Sequence, residues 1–266
     1  MKGYRLAAAL IVVIMLPTAA EAQDQRNFCP DRPGLGTPAC TLDDGQLAIE
    51  LGVMDWTLDR QADNRTDTVV TGDVLLRYGL TGDLEAQLGW SMFGHARARS
   101  GGREEKSSGT GDILLAIRHN MRNPDGSGFA LAVMPYVTLP AGGSAIGAGD
   151  WGAGLLVPIS RELPAGFQLG FTGSVEAAVD EDRNGRHLAY GAIIGLDVPL
   201  SEAVGTTIEF SARRNDDPSG AAIELLAGLS MAWSPDAPLQ FDVGANFGLN
   251  RNTPDVQLYL GIARRF

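Results

Sequence analysis

Basic residues are outnumbered in this sequence: 21 Lys and Arg face 32 Asp and Glu, for a formal charge of −11. A phosphate-binding face needs clustered positive charge, so nucleic acid is not expected as a partner. Histidine is scarcer still, with His95, His119 and His187 the three present. None stands in a His-x-Ser arrangement, and hydrolytic catalysis needs a histidine beside a nucleophile or carboxylate. Only His187, which follows Asp180-Glu181-Asp182, leaves an acid–histidine site open, and a histidine in a polar loop is ordinarily solvated. The acidic loop Asp180 to Gly185 has oxygen ligands but lacks the Asp-x-Asp-x-Asp-Gly spacing of a calcium loop. Neither an enzyme, a metal site nor a cofactor is therefore expected. There are two cysteines, Cys29 and Cys40, and their spacing excludes a CxxC redox site. Long apolar runs are missing too: Leu6 to Leu16 falls short of the roughly 20 residues a spanning helix needs, and no later segment supplies one.

What is present begins with an export pattern. Lys2 and Arg5 precede the apolar run, and Ala20-Glu21-Ala22 offers small residues for cleavage after Ala22. Cleavage of residues 1–22 removes two basic residues and one acidic residue, leaving 19 and 31 and a charge of −12. In an exported chain Cys29 and Cys40 are expected to form a disulfide. The segment 23–44, rich in Pro and Gly between the cysteines, is poor helix or strand material. It is expected as a disulfide-closed periplasmic segment, with its position as a lumen plug or a trailing arm left open.

From residue 45 to 266 one device repeats: about ten residues with every second side chain apolar, then a turn. Leu84, Ala86, Leu88, Trp90 and Met92 share one face, and Glu85, Gln87, Gly89 and Ser91 the other. Phe129 to Leu139 and Phe167 to Val175 alternate likewise. The count predicts strands near 45–57, 67–79, 84–96, 110–120, 128–140, 150–160, 167–179, 187–200, 204–214, 220–233, 239–250 and 255–266. Twelve strands, with short connections alternating with longer polar ones, predict an all-β, antiparallel up-and-down transmembrane barrel. The longer connections 58–66 and 97–109 are read as loops. The second is mixed in charge and read as flexible, with Arg97, Arg99 and Arg103 able to meet lipopolysaccharide phosphates.

Phasing the strands puts Glu50, Asp73, Arg77, Glu85, Asp112, Arg118, Glu176, Asp197, Glu209, Arg213, Glu224, Asp242 and Arg265 opposite the apolar face. An Arg or Lys on the lipid face at the bilayer midplane costs about 2–4 kcal/mol, so a lipid-facing surface explains the clean side. A soluble β-sandwich shows the same alternation, and the even strand number and the C-terminus decide against it. These residues are candidates to line a lumen. With nine acids against four Arg, an open lumen should prefer cations. The other reading is that the charges pair across the interior and hold it shut.

The last strand carries Val256, Leu258, Leu260, Ile262 and the terminal Phe266 on one face, with Arg264 as a departure whose stem can snorkel. Together with Cys29 to Cys40, Gly109-Thr110-Gly111-Asp112 and Met134 to Pro140, this ending resembles the family of outer-membrane proteins ascribed to a phenol-degradation (meta-cleavage) pathway, often called simply transporters. The resemblance implies a barrel in the bacterial outer membrane that passes small, often hydrophobic or aromatic compounds. Phe266 and its strand look like the signal that such barrels present to the assembly machinery. Lipid, lipopolysaccharide and a small solute are the remaining expected partners. A passive channel is the reading that results. A closed structural or partner-binding barrel is the alternative, and an outer-membrane hydrolase stands behind both.

Overall fold

The computed structural model describes residues 26–142 and 146–266. The expected signal segment and its cleavage point lie outside the described residues. The chain forms β1 (Leu47–Gln61), β2 (Asn64–Thr81), β3 (Leu84–Ser100), β4 (Arg103–Gly109), β5 (Ile113–Arg122), β6 (Phe129–Leu139), β7 (Gly152–Glu162), β8 (Gln168–Val179), β9 (Arg186–Pro199), β10 (Val204–Asn215), β11 (Ala222–Asp236), β12 (Leu239–Gly248) and β13 (Val256–Arg265). β4 runs beside the upper part of β3 and β5 beside its lower part, so the two share one place in the wall. Neighbours in sequence pair antiparallel around the sheet, and β1 pairs with β13. The result is the expected closed, twelve-position, up-and-down barrel.

Burial is inverted relative to a water-soluble protein. Leu88, Trp90, Phe171, Ile208, Trp233, Leu258 and Leu260 are exposed on the outer wall, whereas Arg77, Arg118, Glu50 and Glu85 are among the largest fully buried side chains. An apolar exterior around a polar interior satisfies both solvents of a bilayer-spanning sheet, because closure leaves no unpaired backbone edge facing lipid. A sandwich would have buried the apolar faces instead.

Two parts of the sequence reading change. Residues 58–66 and 97–109 are largely strand. β1 and β2 continue to a turn at Ala62-Asp63, and β3 and β4 form a hairpin around Gly101-Gly102. Both of those glycines have positive φ, 54° and 79°, as a two-residue primed turn requires. The charged hairpin is held by ion pairs from Arg97, Arg99 and Lys106 to Glu104. The second change is phase. The β2–β3 ladder skips Gly72 and Met92, so Phe93 rather than Met92 takes the exposed place. A matching irregularity between Gly52 and Met54 brings Asp55 opposite the inward Tyr259. A one-residue slip moves every later side chain to the other face, and periodicity alone does not see it.

The start of β1 meets the C-terminal residue at the short-turn end of the barrel. The Phe266 amide donates to the Leu47 carbonyl at 2.7 Å, and the Leu47 amide donates to the Phe266 carbonyl at 3.4 Å. From there residues 26–44 run into the lumen, with Cys29 and Cys40 joined in a disulfide. Thr41 N donates to the carbonyl of Pro124, and Arg26 Nη1 to that of Gly82, both in short turns. The described part of the N-terminal segment is thus a plug inside this end of the barrel.

Candidate functional site

The plug meets the wall through a buried charge cluster. Arg77 on β2 places Nε and Nη2 each 3.0 Å from one oxygen of Glu85 on β3, and its Nη1 lies 3.0 Å from Glu50 on β1. The same Nη1 reaches Asp31 at 3.1 Å and the Cys29 carbonyl at 2.7 Å, both in the plug. Arg118 on β5 completes the cluster with Glu85 at 3.3 Å, Asp31 at 2.5 Å and the Cys40 carbonyl at 3.1 Å. Buried ions cost several kcal/mol each unless paired and hydrogen-bonded. Two guanidiniums shared among three carboxylates and the ends of the disulfide loop meet that condition.

A segment of prolines and glycines has no ladder for its backbone donors, and buried N–H groups require acceptors. The inward carboxylates supply them. Glu50 accepts from Asp31 N and Arg32 N at 2.9 and 3.0 Å, and Glu85 accepts from Leu42 N at 3.0 Å. Glu209 on β10 accepts from Leu35 N and Gly36 N, each at 2.7 Å. Gly34 is at φ +117°, and a Cβ there would stand 2.6 Å from Glu209 Oε2, so this approach requires glycine. Arg32 forms a two-bond pair with Asp242 on β12, at 2.9 and 3.2 Å. Thr37 and Thr172 bond reciprocally, and Asn120 and Gln240 donate to the Ala39 and Arg32 carbonyls. Much of the acidic excess read from the sequence therefore serves the plug.

The other candidates also turn inward. Arg213 on β10 bridges Glu176 and Glu224 at 3.1 and 3.0 Å. Asp73 accepts from the Ser91 hydroxyl at 2.7 Å, Asp112 from Ala148 N at 2.7 Å, and Asp197 from the Thr207 hydroxyl at 2.6 Å. Asp55, missed because of the β1 irregularity, accepts from Gln257 at 2.6 Å. Arg265 donates to the Arg26 carbonyl at 2.6 Å, at the plug's entry. Ion pairs thus form at Glu50, Glu85, Glu176, Glu224 and Asp242, between nearby strands of the wall or with the plug. Asp55, Asp73, Asp112, Asp197 and Glu209 have hydrogen-bond donors but, among the described residues, no ion pair.

Plug and wall do not fill the lumen. A cavity of about 440 Å³ separates the disulfide loop from β7 to β10 and reaches β12, with Thr172, Asp197, Thr207, Glu209 and Gln240 on its walls. Its wall is thin where glycine replaces larger residues. A Cβ at Gly170 or Gly205 would meet nothing nearer than 3.9 and 3.8 Å. A void of this size is within the roughly 300–1,000 Å³ of small-molecule sites.

At the opposite end the β6–β7 connection leans onto the wall. Ile146 packs on Gly94, and a Cβ on Gly142 would lie 1.9 Å from the Thr110 carbonyl oxygen. His187, expected in solvent, is instead 8% exposed. Its Nδ1 lies 2.9 Å from Asp180 and 3.3 Å from Asp217, and its Nε2 faces Asn215 Oδ1. In the β10–β11 loop, the Asp217 carboxylate accepts from Ser219 N at 2.7 Å and from Glu181 N at 2.8 Å. Asp217 lies too far along the chain from His187 for spacing to reveal the group.

Residues 30–266 match the family described as "Putative MetA-pathway of phenol degradation". No curated protein matches the sequence. Among solved structures, the fold is similar to an outer membrane channel from Pseudomonas putida F1, with TM-score 0.69 and 16% identity over 88% of this chain and 100% of that one. It is also similar to the KdgM porin in complex with oligogalacturonate, with TM-score 0.52 and 7% identity over 83% of this chain and 99% of the porin. The translocator domain of the autotransporter NalP from Neisseria meningitidis gives TM-score 0.50 and 14% identity, covering 84% and 88%.

Proposed function

We propose that this chain, which belongs to the phenol-degradation family, is an outer-membrane channel for passive passage of small solutes, with hydrophobic or aromatic compounds as its class. The cavity beside the plug carries the reading. A barrel built only to be closed has no use for a wall thinned at Gly170 and Gly205 opposite a plug otherwise tied down on several sides. In this reading solute enters at the long-hairpin end, passes Asp112 and the Arg213 group, and leaves between the disulfide loop and β8 to β10. The apolar rims of Pro38, Ile193 and Val198 beside Thr172 and Thr207 suit a small ring with one polar substituent. The family description supports the same class. No role for an enzyme enters this path.

A second reading has its own observation. The cluster of Arg77, Arg118, Glu50, Glu85 and Asp31 ties the plug to three strands and favours a barrel that stays shut. Single-channel recording of the refolded protein in planar bilayers separates the two. Neutralising Glu85 would disrupt the buried cluster, so the informative variants lie at the cavity. Cation-preferring conductance is expected, weaker in selectivity for Asp197→Asn and lower in amplitude for Gly170→Phe. Absence of conductance together with failure of phenol to swell protein-containing liposomes would establish the closed barrel.

A further inference from the structure

A second site lies where three elements converge at the end of the barrel away from the plug. Asp180 directly follows β8, His187 stands at the start of β9, and Asp217 lies in the loop after β10. Their ligand atoms all fall within 4.8 Å of one another. The side chains of His187, Asp180 and Asp217 are only 5%, 13% and 9% exposed. We propose that Asp180, His187 and Asp217 bind one divalent cation of the zinc class and thereby clamp the β8–β9 loop to the β10–β11 loop.

The His187 imidazole is the central ligand. Its Nε2 faces Asn215 Oδ1, an acceptor, which fixes the ring proton there in the manner of an outer-shell partner to a metal-bound histidine. Nδ1 then presents its lone pair to two carboxylate oxygens that cannot donate. Something positive belongs between them, a proton or a metal ion. Ligands about 2.0–2.1 Å from a zinc-class ion stand roughly 2.8–3.4 Å apart at right-angled or tetrahedral geometry. The observed Nδ1 to oxygen separations, 2.9 and 3.3 Å, fall within that range. One imidazole nitrogen with two carboxylate oxygens is a borderline set that suits zinc better than calcium, which takes six to eight oxygens.

The supporting shell is in place. Glu181 N donates to Asp217 Oδ2 at 2.8 Å, and Ser219 N donates to its Oδ1 at 2.7 Å, which orients that carboxylate. Ser219 Oγ bonds Glu181 across the two loops, so they already stand at binding distance. Of the neighbouring arginines, Arg186 pairs with Asp150 and Arg214 with Asp216. Three ligands leave the remaining positions to water or to a donor arriving from outside.

Zinc titration of the whole refolded barrel tests this, with bound metal measured after equilibrium dialysis. One zinc per chain is expected, with affinity reduced at least tenfold in Asp217→Asn and in His187→Gln. Heat-modifiable gel migration checks that both variants are folded. Independently, the wild-type histidine ring resonances should respond selectively. Zinc should move His187 and leave His95 and His119 in place. Retention of zinc by both variants, a shift of the wrong ring, or no stoichiometric zinc in the wild type would overturn the site and leave His187 as an imidazolium held by two carboxylates.

Discussion

Replacing Glu209 with Ala should loosen the tip of the plug while leaving the barrel intact. The Glu209 carboxylate accepts from Leu35 N and Gly36 N, each at 2.7 Å, the shortest backbone contacts the disulfide loop makes with wall carboxylates. Hydrogen bonds to a charged group contribute about 1.5–3 kcal/mol each, so the pair holds the tip by at least about 3 kcal/mol. At about 1.4 kcal/mol per factor of ten, the open population of this tip should rise roughly a hundredfold. The adjoining cavity lets water replace the lost acceptor, which keeps the effect local. Hydrogen–deuterium exchange of the peptide spanning residues 30–40 reads it directly, with strand peptides as internal controls. Faster exchange confined to that peptide, together with more frequent large conductance events, is expected. Unchanged exchange there would refute the assignment of Glu209 as the tip's anchor.

Two further outcomes follow from the same structure. Arg77→Met leaves Glu50, Glu85 and Asp31 without their shared cation, and should cost about 3–5 kcal/mol in urea unfolding of the barrel; a change below 1 kcal/mol would mean that water or Arg118 already compensates the cluster. Phe266→Ala keeps the backbone pair with Leu47 but removes the terminal ring, which packs under Arg264 with the guanidinium 5.1 Å from its centroid. If this ring is what the assembly machinery reads, cell-surface yield should fall severalfold while refolding of the purified chain in detergent is unaltered.

The wall was legible because its physics is local. Lipid on one side and water on the other impose period two, so Leu88 and Trp90 could be placed outside and Glu85 inside from their spacing alone. The same logic failed where the alternation is interrupted: Asp55 was hidden by the register shift after Gly52, and Phe93 by the unpaired Gly72 and Met92, across which the register is kept. The hairpin at Gly101-Gly102 was readable in principle, since two glycines between polar strands favour a primed turn, but its charge pattern resembled a solvated loop.

The alternation of residues 45 to 266, the short turns and the terminal strand by themselves determined the barrel and the inward face of its charges. The plug, the pairing of those charges and the cavity beside it were decided only in the folded molecule. A carboxylate such as Glu209 looks the same in sequence whether it lines a wet channel or caps two amides of a distant segment. Its partner is selected by a contact 173 residues away, between a wall that satisfies its own backbone and a Pro- and Gly-rich segment that cannot. The grouping of Asp180, His187 and Asp217 has the same origin, because antiparallel pairing of β8, β9 and β10 brings their ends together although the residues are up to 37 positions apart in the chain.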